Sequence, residues 1–289
     1  MKTNKLTFVA LLLIATVPLA LAQGTYTQID VPGAVLTVGL GINSAGDIVG
    51  YYEDAGSNLD GFLLSSGTYT TVNYSGSVAT FLTGTNDAGQ IVGFGSNPDI
   101  GFLYSEQTQE FTVILPPKAD YAMPYAINNN GEIGGTSAYG NSHRLAGFVL
   151  AGSRYSVISP PHSAQAEVLG ITAIGALFGS AHNKDGGTFS FSYAQGKYSN
   201  LSIPNAPNCF IYGVNPQGTA LVGWYEPSSG VTAGFIYRNN VLTTLLFSGS
   251  SYTQALGINK AGEVVGYFID ADSDGHGFTW TPPAGAETK

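Results

Sequence analysis

One segment near the C-terminus carries carboxylates at a spacing that suits metal binding. Asp270, Asp272 and Asp274 alternate with small residues, and Gly275 follows them. Alternating carboxylates before a glycine turn provide the oxygen ligands that a hard cation such as calcium needs. Thr281 stands where an EF-hand has its final Glu, so the loop is of another type. We predict a calcium site here; the alternative is a polar loop whose Asp side chains only stabilise their own turn.

A second set of residues is suited to binding a ligand without a metal. Glu167 occupies a predicted strand position that is mainly apolar elsewhere in the chain, and an unpaired buried carboxylate is costly, so it should reach channel water or a partner. Aromatic residues can stack on sugars or protein partners. The candidate ligand-binding residues are His143, His162, His182, Glu167, Tyr121 and Trp224. The sequence contains no G-x-S-x-G, H-E-x-x-H, phosphate-loop or dinucleotide-binding motif.

A sequence phrase that recurs six times indicates the elements that position these residues. Its first copy is GINSAGDIVG, from Gly41 to Gly50, and the later copies follow at intervals of 42 to 44 residues. A second phrase, typified by GFLLSSGTYTTV from Gly61, follows each copy. Each repeat therefore predicts four short strands, which for the first repeat are 36–42, 48–52, 62–65 and 69–72. We predict an all-β fold in which each repeat is one four-stranded blade of a six-bladed β-propeller.

The two ends of the chain are complementary fragments of one repeat. The last repeat stops after its third strand at Trp280, whereas Thr25 to Asp30 resembles the fourth strand of the first repeat. An N-terminal strand that completes the last blade would close the ring, so we predict one domain over residues 23–289. A β-solenoid is the alternative, because it also uses glycine-rich repeats; it does not account for the complementary ends.

The N-x-x-G core of the repeat is typical of a tight turn. Asn at the first position can accept a hydrogen bond from the backbone two residues later, and Gly at the fourth tolerates a left-handed conformation. Thr172 replaces Asn in the fourth copy. Two positions before each Asn or Thr stands Gly or Ala, which suits strands crowded around an axis. Cys209 occupies another small-residue position, so we interpret it as packing rather than as a nucleophile.

The two faces of such a disc differ. The first-to-second and third-to-fourth turns lie on one face, which we call the turn face. The second-to-third loops and the connections between repeats lie on the other, which we call the connector face. The longer predicted loops and all four histidines fall on the connector face. Binding residues usually lie on loops held by a rigid scaffold, so we predict the ligand site there.

Export is indicated by the N-terminal segment. Lys2 and Lys5 precede an apolar run, and small residues end it at Ala22, which is typical of a signal peptide over residues 1–22. An uncleaved anchor is the alternative. We predict a secreted or periplasmic monomer whose mature form has no membrane span. The chain has 10 basic and 19 acidic residues, a net charge of −9, which argues against a nucleic-acid partner.

The phrases together resemble the HAF-repeat family of extracellular bacterial proteins. The resemblance is carried by the six turn phrases, by Asp30-Val31-Pro32-Gly33-Ala34 and by His276-Gly277-Phe278, and it covers nearly all of the chain after residue 22. The fourth repeat departs most from the pattern. The resemblance implies an exported protein and supplies no catalytic residue.

Two functional hypotheses follow. The first is a secreted, non-enzymatic recognition or scaffold propeller that binds a polysaccharide or an extracellular protein on its connector face. The second is a metal-assisted hydrolase or lyase at the mouth of the propeller channel, by analogy of fold alone. The second requires at least three of Glu167, Asp120, Asp185 and the histidines at 143, 162 and 182 to lie close together.

Overall fold

A computed structural model describes residues 24–140, 144–206 and 208–283. The predicted signal peptide and His143 lie outside these residues. Every regular element in the described part of the chain is a strand, as the sequence predicted. Those ranges contain no helix with the length and apolar character needed to cross a membrane.

The strands fall into one N-terminal strand and repeating sets, which we call units one to six. The N-terminal strand is β1 (Thr25–Ile29). Unit one contains β2 (Ala34–Ile42), β3 (Ile48–Asp54), β4 (Leu59–Ser65) and β5 (Thr68–Thr71). Unit two contains β6 (Ala79–Thr85), β7 (Gln90–Ser96), β8 (Ile100–Ser105) and β9 (Glu110–Ile114). Unit three contains β10 (Tyr121–Ile127), β11 (Ile133–Tyr139), β12 (Arg144–Ala151) and β13 (Arg154–Ile158).

The remaining strands repeat the same order. Unit four contains β14 (Ser163–Ile171), β15 (Leu177–Asn183), β16 (Thr188–Ala194) and β17 (Lys197–Leu201). Unit five contains β18 (Phe210–Val214), β19 (Ala220–Ser228), β20 (Val231–Arg238) and β21 (Val241–Leu245). Unit six contains β22 (Tyr252–Ile258), β23 (Val264–Ile269) and β24 (Gly275–Thr281).

Within each unit, successive strands pair antiparallel. In unit one, β2 pairs with β3, β3 with β4, and β4 with β5. Single parallel pairs, Leu36 with Gly275 and Thr232 with Tyr252, also join neighbouring units. No hydrogen-bonded sheet closes on itself within the described chain. The first strands of successive units contact one another, and β2 contacts β22.

The N-terminal strand pairs with the last strand, as the complementary ends predicted. β1 runs antiparallel to β24, with Gln28 opposite Phe278 and Tyr26 opposite Trp280. The ring centroids of Tyr26 and Phe278 are 5.9 Å apart. Strands from opposite ends of the sequence therefore share one four-stranded ladder.

The hydrophobic core lies between units. One phenylalanine of each third strand is fully buried. These residues are Phe62, Phe102, Phe148, Phe191, Phe235 and Phe278. One cluster combines Ile29 of β1, Phe62 of unit one and Val265 of unit six, so the same apolar packing that joins successive units also joins the last to the first.

The predicted turns form as expected. Asn43 Oδ1 accepts hydrogen bonds from the backbone N–H groups of Ala45 (3.0 Å) and Asp47 (2.9 Å). Gly46 has φ of 87°, in the left-handed region that favours glycine. The connector-face loops are shorter than predicted because the strands run further. In unit five, for example, β19 ends at Ser228 and β20 begins at Val231, so only two residues separate these strands.

Candidate functional site

A β-bulge at the same place in all six first strands organises the centre of the molecule. In unit one the pairing of β2 with β3 shifts between Gly39 and Gly41, which leaves Leu40 without a direct partner. The equivalent shifts leave Thr83, Tyr125, Leu169, Tyr212 and Leu256 unpaired. Bulges bend a strand and redirect a side chain. Val38, Leu40 and Leu256 consequently form a central cluster with tyrosines of three units, Tyr51, Tyr212 and Tyr267.

On the turn face, the repeated Asn side chains bridge neighbouring units. Four of the Nδ2 groups donate to the backbone carbonyl at the equivalent position of the next unit: Asn43 to Asn86 (3.4 Å), Asn86 to Asn128 (3.0 Å), Asn128 to Thr172 (2.9 Å) and Asn259 to Asn43 (3.1 Å). Asn215 Nδ2 donates to Thr219 Oγ1 of its own turn (3.1 Å). Thr172 has no amide, and there the backbone N–H of Ala173 donates to Pro216 O instead (2.8 Å).

This face encloses a cavity of about 110 Å³, lined by the first-strand ends and turns of all six units. Tyr125 and Tyr212 contribute to its lining. The Asn side chains around the cavity are already hydrogen-bonded, so we assign these Asn turns a structural role.

The connector-face end of the axis carries half-buried aromatic residues. Trp224 stacks on Phe210 with ring centroids 6.0 Å apart and planes 17° apart. Gln254 Nε2 donates to Tyr252 Oη (2.8 Å), and Tyr267 Oη donates to the same oxygen (3.2 Å). Tyr121 begins the first strand of unit three and is also half-buried. Aromatic rings with hydrogen-bonding groups beside them are suited to binding a partner.

Glu167 lies on the first strand of unit four and is half-buried. Ser180, opposite it on β15, donates from Oγ to Glu167 Oε2 at 3.2 Å. Burial, together with the nearby charge of Glu167, raises the pKa of Tyr212 to about 12 and also raises that of Tyr125. Both tyrosines are therefore neutral at physiological pH, and Glu167 faces them near the axis. The sequence prediction that Glu167 reaches solvent or finds a partner is thus met in both respects.

The histidines are more dispersed. His162 is exposed in the connection between units three and four, with φ of 68°. His182 Nδ1 lies 3.1 Å from Thr188 Oγ1. In the described ranges, no three His, Cys, Asp or Glu side chains are grouped so that they could hold a metal ion.

The Asp270 loop is organised by its first carboxylate. Asp270 Oδ1 accepts from the backbone N–H groups of Asp272 and Asp274, each at 2.9 Å. These hydrogen bonds, and His276 beside the carboxylate, hold the pKa of Asp270 below its ordinary value despite some desolvation. Asp54 accepts in the same way from Gly56 (2.7 Å) and Asn58 (2.9 Å). The polar-turn alternative thus describes the observed geometry, while the side chains of Asp272 and Asp274 are exposed.

His276 joins the two ends of the chain, a role that the sequence pattern did not suggest. Its Nδ1 lies 3.1 Å from Asp30 Oδ2, and its Nε2 lies 3.4 Å from Asp270 Oδ2. Gln28 Nε2 is 3.0 Å from the same Nδ1 and donates to Asp30 at 2.7 Å. One feature of the sequence could have indicated this role. The last repeat, which the N-terminal strand completes, is the repeat in which His276 precedes the Gly-Phe pair.

Comparisons with known proteins give a fold but no family. No protein-family model and no curated protein sequence matches the chain. TolB from Acinetobacter baumannii is similar in structure, with a TM-score of 0.58 and 12% identity over 82% of this chain and 64% of the TolB chain. This chain thus corresponds to less than two thirds of TolB.

Two further solved structures cover this chain more evenly. The β-propeller domain of the Trilobed protease from Pyrococcus furiosus gives a TM-score of 0.55 and 9% identity, over 86% of this chain and 79% of that one. YCF48 bound to the D1 peptide gives a TM-score of 0.51 and 12% identity, over 92% of this chain and 98% of the YCF48 chain. At these identities the similarity shows the fold alone: the protein is all-β and propeller-like.

Proposed function

We propose that the protein is an exported six-bladed propeller of the HAF-repeat type that binds a protein partner at the connector-face end of its axis. In this proposal each unit is one blade, and β1 completes the sixth. The equivalent bulges, the Asn bridges between neighbouring turns and the pairing of β1 with β24 support this arrangement.

The observation that carries the binding proposal is the group of half-buried aromatic residues on the connector face. Trp224, Tyr252 and Tyr267 are partly exposed there, and the hydroxyl groups of the two tyrosines are hydrogen-bonded to each other. Interfaces are enriched in Tyr and Trp, because these residues bury a large area at a small cost in conformational entropy. The structurally similar YCF48 was solved with a bound peptide, which supports a protein rather than a small-molecule partner.

Peptide display tests this proposal. Random-peptide libraries would be selected against the chain from residue 23, and the Kd of the selected peptides measured by calorimetry. We expect Trp224→Ala to weaken binding by about tenfold or more, as truncation of an interface hot spot does. Trp224→Leu keeps apolar bulk if the alanine variant folds poorly. The matched control is Ile174→Ala, because Ile174 is 90% exposed on the turn face.

The outcomes are distinct. Peptides that bind with Trp224 dependence and no Ile174 dependence support the proposal. Binding that is insensitive to Trp224, or binding to glycan arrays without any peptide binder, overturns the protein-binding site; the latter result would favour the polysaccharide partner. Export is tested separately, by determining the N-terminus of the mature protein, which we expect at Gln23.

We also propose that the Asp270 loop binds calcium weakly. Asp270 Oδ1 is already engaged by two backbone N–H groups, so a cation would be held mainly by other oxygens of the loop, including those of Asp272 and Asp274. Thermal unfolding with calcium or with a chelator tests this, because a ligand that binds only the folded state raises Tm. An unchanged Tm, or an equal rise in Asp272→Asn/Asp274→Asn, would contradict it.

A further inference from the structure

Glu167 is the one carboxylate in its column of first-strand residues. The equivalent positions in the other units are Val38, Phe81, Met123, Phe210 and Gln254. Four of these are apolar and the fifth is the neutral amide that is isosteric with Glu. A carboxylate is therefore not needed to build this part of the strand. Its presence requires another explanation, because partial burial of a charge opposes folding.

Glu167 lacks a basic partner within the described chain. The ion pairs found in those residues involve His276 with Asp30 and Asp270, at the junction of the chain ends. Among the described residues, Glu167 accepts a single side-chain hydrogen bond, from Ser180. An ionised carboxylate has about four acceptor sites, so most of its hydrogen-bonding capacity remains available to a ligand or to water.

Aromatic residues flank Glu167 on both neighbouring first strands. β10 supplies Tyr125, and β18 supplies Phe210 and Tyr212, whose ring centroids are 6.2 Å apart. Trp224 extends this wall by stacking on Phe210. Tyr212 belongs to the central cluster with Tyr51 and Tyr267. The faces of aromatic rings carry negative electrostatic potential and attract cations, most strongly when the site is partly desolvated.

We infer that this axial site recognises a cationic side chain of the protein partner, with Glu167 as its counter-ion and the flanking aromatic residues as its wall. The inference rests on the proposed function and specifies the chemistry of the partner. A carboxylate and a wall of aromatic faces in a chain of net charge −9 all favour a cation and oppose an anion. Arginine suits the site best, because its planar guanidinium can stack on a ring and pair with a carboxylate at once.

Small amides provide a direct probe that does not depend on finding the partner. N-acetyl-arginine amide, N-acetyl-lysine amide and the uncharged N-acetyl-norleucine amide would be titrated while tryptophan fluorescence and NMR spectra are recorded. We expect the two cationic amides to bind at least about tenfold more tightly than norleucine amide at low ionic strength. The arginine amide should have the highest affinity of the three. Added salt should weaken the cationic amides and leave norleucine amide unchanged, because salt screens charge.

Glu167→Gln is the decisive variant, because unit six already has Gln254 at the equivalent position and the amide therefore fits. We expect it to abolish the preference for arginine over norleucine. The control is Glu110→Gln, which removes the same charge from β9, where Glu110 is exposed. Equal binding of all three amides, no binding of any, or an unchanged preference in Glu167→Gln would overturn the inference.

The result also separates this inference from the proposed function. If display yields Trp224-dependent peptides without enrichment of Arg or Lys, and the amides show no preference, only the cationic specificity fails. If neither peptides nor amides bind in a Trp224-dependent manner, the proposed binding face fails as well.

Discussion

Two threonines of β6 show that a buried hydroxyl stabilises the fold where it is hydrogen-bonded and destabilises it where it has no partner. Thr83 and Thr85 are both 8% exposed. Thr83 Oγ1 lies 3.1 Å from Val92 O and 2.8 Å from Pro124 O, and the second contact crosses from unit two to unit three. Thr85 Oγ1 is buried, and it has no hydrogen-bond partner among the residues that the structure describes. The corresponding residues of the other units are all β-branched and aliphatic: Ile42, Ile127, Ile171, Val214 and Ile258.

We therefore expect Thr85→Val to stabilise the protein by about 1–2 kcal/mol, because a buried polar group without a partner costs about that much. Thr83→Val should instead destabilise it by about 1–2 kcal/mol, because it removes a hydroxyl that bridges two units. Urea unfolding of both variants measures the difference. Destabilisation by Thr85→Val would contradict an unpartnered hydroxyl at this position, and stabilisation by Thr83→Val would contradict a bridging role for the Thr83 hydroxyl.

The roles of residues that recur in every repeat could be predicted. The Asn turns and their left-handed glycines are examples, because the same local hydrogen bonds form in one repeat after another. The Nδ2 bridges were not predictable, because they join residues of different repeats and depend on how the units are placed. The same applies to His276, whose partner Asp30 lies 246 residues away.

At the scale of elements, the first strands of neighbouring units approach each other closely at a glycine. An added Cβ at Gly257 would lie 2.7 Å from Leu40 O of unit one, and one at Gly213 would lie 2.8 Å from Leu256 O. The carbonyls of the bulge residues Leu40 and Leu256 thus approach the glycine of the preceding unit. The repeat predicted small residues here, and this prediction is confirmed. The bulge itself could not be predicted, because one extra residue in a strand leaves no clear break in the alternation of apolar and polar residues.

Gly257→Ala should accordingly destabilise the protein by about 1–3 kcal/mol, the usual cost of overpacking a tight contact. Its effect should be specific to the contact between units six and one. Gly187→Ala is the control, because an added Cβ there meets only Asn183 Nδ2, at an ordinary 3.4 Å. Chemical denaturation should show the first variant well below the wild type and the second within about 0.5 kcal/mol of it. Equal stability of the two variants would contradict close contact at Gly257.

At the scale of the whole molecule, the critical junction is the one between the chain ends. The order of the strands and the pairing of the ends could be predicted, because the two terminal fragments add up to one repeat. The packing that accompanies the pairing could not. Tyr26 sits between the rings of Phe247 (5.6 Å) and Phe278 (5.9 Å) and opposite Trp280, which is 3% exposed.

Alkaline pH should therefore weaken this junction through Tyr26. Burial raises the pKa of Tyr26 from 10.0 to about 12. A group whose pKa is raised on folding contributes its full stabilisation below the pKa of the unfolded state and loses it as the pH rises through the folded pKa. Between about pH 10 and pH 12 the unfolded chain loses the Tyr26 proton more readily than the folded one, so stability must fall over that interval.

Tyr26→Phe removes the titrating hydroxyl and keeps the ring. The chain has two tryptophans, so a Trp224→Phe background leaves Trp280, opposite Tyr26 at the junction, as the only tryptophan whose fluorescence reports unfolding. We expect the urea midpoint of the parent to fall more steeply than that of Tyr26→Phe above about pH 10, with little difference at pH 7. Tyr237→Phe, whose hydroxyl meets Asn240 at an exposed surface, measures the effect of losing a tyrosine away from the junction. If Tyr26→Phe loses stability as steeply as the parent, alkaline unfolding begins at the other buried tyrosines and the pairing of the chain ends is not the weakest contact in the molecule.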